Sequence, residues 1–208
     1  MESIKKIVEE LYPFDYSVAS EGSDKSINVF KKYLNFKIHK FRTGLTLNSW
    51  KIPKSIRVKE VKLLCEGKTL IDTKSKNYSV ISQCKSVNIY LNYDQLIKNL
   101  YYSEKINDAI PYGWTGLYNN KDNWGLCVPR KFIKKLKKNK KYQVIIKTEV
   151  LKNNMNVLEY KIKGKSDKAI LINAHNCHPY QANDDISGCA VGISIFKELK
   201  KIHNLNYS

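Results

Sequence analysis

The segment 170–188 gathers side chains whose types and spacing could bind a metal ion. It contains His175 and His178, and Asp184 follows them by nine and six residues. The intervening turn could fold back and bring an imidazole and a carboxylate to one cation. Because this pair of ligand types suits zinc, the segment predicts zinc binding, with His178, Asp184 and His175 as candidate ligands.

An apolar run directly before the histidines predicts the element that positions them. Residues 169–172 are continuously apolar, which is typical of a central strand covered on both faces. Both histidines follow the carboxyl end of this strand, where open α/β sheets bind ligands. An apolar periodicity over residues 190–199 predicts a helix after the turn.

Each candidate ligand also has a structural interpretation. The polar residues at 183–187, Asp184 among them, precede the predicted helix, and any of them could cap its amino terminus. A single histidine at the end of a strand is more often structural than metal-binding. Cys177 could be a soft ligand, whereas a small buried residue in the turn is the commoner role for such a cysteine. The residues alone leave these alternatives open.

The pattern A-H-x-C-H-P-x-x-A-N-D-D-x-S-G, which begins at Ala174, resembles the metal-binding stretch of the bacterial di-zinc aminopeptidases. It is most similar to a subfamily of aminopeptidase-like domain proteins associated with surface-polysaccharide gene clusters. The resemblance covers nearly the whole chain, because further matches follow in the family's order. They are E-E-L-Y-P-F at 9–14, S-E-G-S-D-K at 20–25, I-H-K-F-R-T-G at 38–44, W-K-I-P at 50–53, D-A-I-P-Y at 108–112 and W-G-L-C at 124–127.

The resemblance implies an α/β fold, namely a partial peptidase-like mixed sheet with helices and a small β-rich insertion. It places the bridging aspartate of the family on Asp184. The histidine ligand falls on His178 by the C-H-P signature of the subfamily, or on His175 by the strand-closing histidine of the wider clan. Zinc is the implied cofactor, as one or two ions with the second site incomplete. A cis peptide bond between Asp184 and Asp185 is also implied.

The family's catalytic apparatus continues after this motif with residues that the sequence lacks. These are a pair of glutamates, one of them the general base, then another acidic ligand and a final histidine. After Asp185 the sequence contains Glu198 as its only acidic residue and His203 as its only histidine. A catalytic zinc normally needs three protein ligands and an open position for water. No catalytic residue can therefore be named, and we expect the chain alone to be inactive.

Three explanations fit this shortage of ligands: a truncated gene, a split protein completed by a second chain, or a remnant that keeps only the fold. Each would leave a sheet with an exposed edge and exposed apolar faces. We therefore expect poor stability alone, or a partner that is a complementing chain or a second copy in a homo-oligomer. The implied substrate is a small peptide or another amide-containing molecule.

Composition argues against other classes of protein. The formal net charge is +18, but only three of the 37 basic residues are arginine, the residue best suited to phosphate and base recognition, so nucleic acid is not an expected partner. The lysine-rich run 130–141 is typical of a solvated helix and turn. Neither a signal peptide nor a membrane-spanning apolar stretch is evident. Five widely spaced cysteines predict reduced thiols and a cytoplasmic protein.

The pattern of elements predicts three segments. Residues 1–48 form the N-terminal helices and first strand of a peptidase-like domain, 49–107 form the β-rich insertion, and 108–208 form an incomplete peptidase-like α/β domain. Helices are predicted over 2–12, 24–34 and 94–100, and strands over 36–41, 58–64, 68–72, 87–91, 142–148 and 157–162. The aromatic tract 108–130 is typical of core packing. Its alternative role is a wall of the substrate cleft, with Tyr112 and Trp124 binding substrate.

Three functions follow from these features. The first is a zinc-dependent aminopeptidase-like hydrolase of amide or peptide bonds. The second is a non-catalytic relative or fragment that binds a sugar, a peptide or a protein partner. The third, a basic nucleic-acid-associated protein, would require a steep salt dependence of DNA or RNA binding.

Overall fold

The computed structural model describes residues 3–75, 78–113 and 123–208. The chain divides into two compact units. Unit 1 comprises Met1–Leu45 and Asn153–Ser208, and unit 2 comprises Thr46–Lys152. Unit 2 contains the whole predicted insertion of 49–107 and also residues 108–152, which the sequence grouped with the peptidase-like domain.

The described residues form five helices and eleven strands, so the predicted mixed α/β class is confirmed. The helices are α1 (Ile4–Leu11), α2 (Glu21–Tyr33), α3 (Tyr93–Ile97), α4 (Arg130–Ile133) and α5 (Ser187–Leu199). The strands are β1 (Lys37–Arg42), β2 (Thr46–Leu47), β3 (Trp50–Lys51), β4 (Ser55–Cys65), β5 (Lys68–Ile71), β6 (Ser79–Val80), β7 (Val87–Leu91), β8 (Leu100–Tyr101), β9 (Leu126–Cys127), β10 (Tyr142–Leu151) and β11 (Asn154–Glu159).

Helices α1 and α2 of unit 1 begin where the sequence offers a capping hydroxyl. The Ser3 hydroxyl accepts a hydrogen bond from the backbone N–H of Lys6 at the start of α1, and the Ser20 hydroxyl accepts one from Ser23 at the start of α2. These bonds satisfy N–H groups that have no partner inside the helix. Helix α2 therefore starts three residues earlier than the 24–34 that periodicity predicts.

The core of unit 1 lies between α1, α2 and α5. Its buried residues come from one face of each helix and from the adjoining loops. They are Ile7, Leu11, Tyr16, Phe30, Tyr33, Leu34, Ile186, Ala190 and Ile193. The Tyr16 hydroxyl donates a 2.8 Å hydrogen bond to the Leu11 carbonyl, which ends α1. Packing of these apolar faces, more than helix propensity, holds such short helices in place.

Strands β1 and β11 form an antiparallel pair in unit 1, with Lys37 opposite Glu159 and Arg42 opposite Asn154. The pairing joins two parts of the chain that are separated by the whole of unit 2. The Asp24 carboxylate ties α2 to this ladder, because it accepts 2.7 Å hydrogen bonds from the side-chain amides of Asn153 and Asn156.

Unit 2 is built on a four-stranded antiparallel sheet in the order β5-β4-β10-β7. A three-stranded sheet, β6-β9-β8, lies within the same unit. The buried core of the unit comes from alternate residues of the long strands and from the aromatic tract. It includes Val61, Leu63, Ile71, Leu96, Trp124, Leu126, Phe132, Tyr142, Val144 and Ile146.

A cross-strand ionic cluster lies on the other face of the four-stranded sheet. The two carboxylate oxygens of Glu60 lie 2.5 Å from the ammonium groups of Lys62 and Lys147. Hydrogen bonds from Lys147 and then Lys62 lower the pKa of Glu60 from 4.5 to about 2. The Glu60 carboxylate is therefore charged over the whole range in which a small domain is normally folded.

The prediction of a buried central strand over residues 169–172 is wrong. This segment is extended but belongs to no sheet, and the exposed fractions of Ile170, Leu171 and Ile172 are 67%, 89% and 38%. Its composition suits a covered strand, but burial requires neighbouring strands on both sides. Within the described residues, the N–H of Ile170 donates a 2.9 Å hydrogen bond to the backbone carbonyl of Ser208.

Across the described ranges, none of the helices is both long enough and apolar enough to span a lipid bilayer.

Candidate metal site

The predicted ligands lie on two consecutive turns of unit 1. The first turn follows the extended segment 169–174 and carries His175 and His178. The second is the irregular turn Ala182–Ile186, which carries Asp184 and Asp185 and leads into α5. Neither aspartate has helical dihedral angles, and the peptide bond between them is cis, as the resemblance implied.

The Asp184 carboxylate lies between the two imidazole rings. Its Oδ1 is 2.8 Å from Nε2 of His175, and its Oδ2 is 3.2 Å from Nδ1 of His178. The same Nδ1 of His178 lies 3.0 Å from the backbone carbonyl oxygen of Asp184. The ring centroids are 5.3 Å apart, with the planes at 79°. The structure thus brings together all three residues that the sequence proposed as ligands.

The spacing of these atoms fits a zinc ion. Zinc binds imidazole nitrogen and carboxylate oxygen at about 2.0–2.2 Å in tetrahedral geometry, which separates two ligand atoms by about 3.3 Å. The imidazole-to-carboxylate distances of 2.8 and 3.2 Å lie within about half an ångström of that value. In addition, His175, Cys177 and His178 each offer one ligand atom, and these three atoms lie within 4.8 Å of one another.

Asp185, and not Asp184, takes the capping role that the sequence left open. Its Oδ1 accepts a 3.1 Å hydrogen bond from the N–H of Gly188 in the first turn of α5. A Cβ at Gly188 would collide with the same carboxylate, so only glycine fits there without displacing Asp185. Its Oδ2 lies 3.9 Å from Nδ1 of His175. Asp185 is among the residues at 183–187 that the sequence offers as caps of the helix, and the hydrogen bond to Gly188 selects it.

Burial keeps Cys177 of the motif and Cys189, which directly follows the motif, as neutral thiols. Burial, assisted by the nearby Asp185 carboxylate, raises the pKa of Cys189 to about 12. Burial likewise raises the pKa of Cys177. The Cys189 thiol donates a long hydrogen bond of 3.6 Å to the His175 carbonyl, which helps to hold the first turn against α5.

The site is open to solvent on one side. The side chains of His175 and Asp184 are 51% and 58% exposed, whereas those of His178 and Asp185 are 23% and 29% exposed. His175 and Cys177 also line a cleft of about 920 Å³ in unit 1, together with residues of β11 and of the exposed segment 169–172. A small solute can therefore reach the imidazole and the carboxylate.

The two proposed substrate-binding residues lie in unit 2. Trp124 is only 8% exposed and belongs to the core of that unit, which is the packing role that the sequence also allowed. Tyr112 lines a cavity of about 310 Å³. Trp114 and Tyr118, from the same aromatic tract, lie outside the described residues.

Comparison with known proteins supports the family resemblance. The model of a family described as a domain of unknown function (DUF4910) matches residues 5–208. A Clostridium acetobutylicum protein, named for polysaccharide biosynthesis and an aminopeptidase-like domain, is 30% identical over 200 residues. The alignment covers 96% of this chain and 45% of that protein. The chain thus spans about half the length of the curated relative that it matches.

Solved structures show the same relationship. A crystal structure of a Clostridium acetobutylicum protein named as a peptidase has a TM-score of 0.81 and 29% identity, over 98% of this chain and 47% of that one. The zinc aminopeptidase BSAP from Bacillus subtilis has a TM-score of 0.60 and 13% identity, over 96% of this chain and 57% of that one. The second likeness shows the fold alone. The predicted resemblance to aminopeptidase-like domain proteins and the peptidase-like fold are confirmed.

Proposed function

This chain belongs to the family described as a domain of unknown function (DUF4910), and from that premise we propose that it is the metal-binding part of a zinc-dependent aminopeptidase-like hydrolase. The observation that carries the proposal is the placement of an imidazole nitrogen at each oxygen of the Asp184 carboxylate.

His175 and Asp184 are the proposed zinc ligands. Nε2 of His175 lies 2.8 Å from a carboxylate oxygen of Asp184, and a carboxylate oxygen of Asp185 lies 3.9 Å from the other ring nitrogen of His175. Nδ1 of His178 lies nearer to the Asp184 carbonyl than to the carboxylate, so we assign His178 a positioning role. Its contact with the carbonyl fixes the backbone from which the Asp184 carboxylate projects.

When bound, zinc would lower the pKa of a coordinated water toward 7 and polarise the carbonyl of an amide substrate. The residues of this chain hold the ion and leave one side open to a small peptide or amide. A catalytic zinc needs three protein ligands, and His175 with Asp184 supplies two. We propose that the remaining ligands and the general base of the complete hydrolase lie outside residues 1–208.

Zinc content and amide hydrolysis test the two parts of this proposal separately. The purified chain should bind one zinc ion per molecule, measured by mass spectrometry of the metal after gel filtration. His175→Ala should abolish stoichiometric binding. His178→Ala should weaken it by about 10–100-fold, the range found when a residue that orients a ligand is removed. Amino acid nitroanilides should be hydrolysed only when the second half of the Clostridium acetobutylicum relative is co-expressed.

His39→Ala is the matched control for the histidine variants. Its ring makes a 2.6 Å contact with the carboxylate of Glu159. His39 does not belong to the cluster of ligand atoms from His175, Cys177 and His178. This variant should bind zinc like the parent protein. Absence of zinc from the parent chain, or equal loss in all three variants, would refute the metal site. Stoichiometric zinc without hydrolysis in the co-expressed protein would refute the hydrolase alone.

A binding module without catalysis is the second candidate. The observation in its favour is the cavity in unit 2, which is lined by tyrosines and lies in a different unit from the zinc ligands.

A further inference from the structure

We propose that the cavity in unit 2 binds a single uncharged pyranose sugar ring. Its volume of about 310 Å³ is at the small end of ligand pockets, which suits one ring. The cavity is lined by Leu100, Tyr101, Tyr102, Glu104, Pro111, Tyr112 and Gly113. All of these residues belong to unit 2, so the inference does not depend on the zinc site.

The tyrosines give the cavity apolar faces with polar tips. An aromatic ring can stack on the C–H face of a sugar, and a tyrosine hydroxyl can exchange hydrogen bonds with its hydroxyl groups. The ring of Tyr101 is held in place, because the backbone of Gly125 lies so close that an added Cβ would meet Cε2 of Tyr101 at 2.5 Å. Tyr101 also lies in register with Cys127 of β9.

The loop that completes the lining is tied down by several hydrogen bonds. The Gly113 carbonyl accepts a 2.8 Å bond from the N–H of Ser82. The guanidinium of Arg130 donates to the carbonyl of Glu104, and the Ser103 hydroxyl accepts a 3.1 Å bond from the N–H of Ile106. A lining that is already ordered loses little conformational entropy when a ligand binds.

The Glu104 carboxylate is the acceptor that a sugar would use. Its side chain is exposed, and among the residues that the structure describes its carboxylate makes no hydrogen bond or ion pair. A carboxylate accepts hydrogen bonds from hydroxyl groups strongly, and a sugar ring offers adjacent hydroxyls. The cavity therefore combines stacking surface with one strong acceptor.

Charge decides between a sugar and the ionic ligands that tyrosines and a carboxylate could also bind. Unit 2 contains 22 of the 37 basic residues and 8 of the 19 acidic residues, so it carries +14 of the formal charge of +18. This field repels an organic cation, which would otherwise suit an aromatic cage. Glu104 in turn repels an anion at short range. An uncharged ring with many hydroxyl groups is repelled neither by the positive charge of unit 2 nor by the Glu104 carboxylate.

The test is saturation-transfer NMR on the intact chain with methyl glucoside, methyl galactoside and methyl N-acetylglucosaminide. Each would be used at about 10 mM, tenfold above a millimolar dissociation constant. At least one should receive saturation, and Tyr102→Ala should weaken its binding by about tenfold or more. Glu104→Ala, an exposed change that does not threaten folding, should do the same, whereas Glu104→Gln should retain most of the affinity because an amide oxygen still accepts hydrogen bonds.

Tyr90→Ala is the matched control, because Tyr90 is a 75% exposed tyrosine of the same unit on β7, outside the cavity. It should leave sugar binding unchanged. Choline provides the competing ligand class. No saturation transfer to any of the three sugars would overturn the proposal, as would choline binding that Glu104→Gln abolishes. Because zinc content is measured independently, failure here leaves the metal proposal standing, and the reverse also holds.

Discussion

Replacement of Asp184 by asparagine is the sharpest test of the metal site. The change keeps the shape and one oxygen of the side chain but removes its negative charge. Two unit charges 4 Å apart attract by about 1 kcal/mol in bulk water, so a divalent ion and a carboxylate attract by about 2 kcal/mol. The attraction in bulk water is used as the lower limit, because the Asp184 side chain is 58% exposed. Asp184→Asn should therefore weaken zinc binding by at least about 30-fold.

Calorimetric titration of zinc against a competing chelator measures this change directly. Glu159→Gln is the control, because Glu159 makes the same type of carboxylate–imidazole contact with a single histidine, at 2.6 Å. It should leave the dissociation constant within about twofold of the parent value, a change below about half a kcal/mol. Equal affinities of Asp184→Asn and the parent chain, with both folded by circular dichroism, would show that the Asp184 carboxylate does not bind the ion.

Three further outcomes are expected. The lysines that bind Glu60 hold its pKa at about 2, so the stability it contributes is complete above about pH 4.5 and disappears as the pH falls to about 2. The urea midpoints of Glu60→Gln and of the parent should then differ at neutral pH and converge as the pH falls from about 4.5 to about 2. A difference that does not change with pH would contradict the lowered pKa of Glu60. Leu171→Lys should reduce binding of an apolar dye and concentration-dependent light scattering, because Leu171 is 89% exposed; unchanged dye binding would mean that this side chain is covered in solution. Tyr16→Phe should lower the free energy of unfolding by about 0.5–1.5 kcal/mol, since the Leu11 carbonyl then keeps only the longer, 3.4 Å hydrogen bond from the N–H of Phe14, and an unchanged urea midpoint would show that the tyrosine hydroxyl does not stabilise the fold.

Elements with a clear local pattern could be predicted from the sequence. Helix α1 follows from an apolar stripe that Pro13 ends, and β7 has the predicted bounds of 87–91 because alternation and flanking turns agree. The metal motif was predictable for the same reason, since its histidines and Asp184 lie within ten residues and a short turn can bring them together.

The failures arise where the outcome depends on distant residues. The run 169–172 has the composition of a covered strand, but its burial depends on neighbours that composition does not reveal. The choice between Asp184 and Asp185 as cap stayed open for a different, local reason. It depends on which carboxylate faces the N–H of Gly188, and adjacent residues of one type give no pattern that separates them.

The pairing of β1 with β11 has a consequence for the order of folding. The chain leaves this hairpin after Leu45 and returns at Asn153, where the carbonyl accepts a 3.1 Å hydrogen bond from Thr43. If the intervening chain were unfolded, the hairpin would have to close a loop of about a hundred residues, a slow event. Early formation of the contact between Ser55 and Leu151 shortens the loop that must close to about 15 residues. We therefore expect unit 2 to fold before β1 pairs with β11. The backbone amides of β1 should then gain protection from hydrogen exchange only after those of β4 and β10.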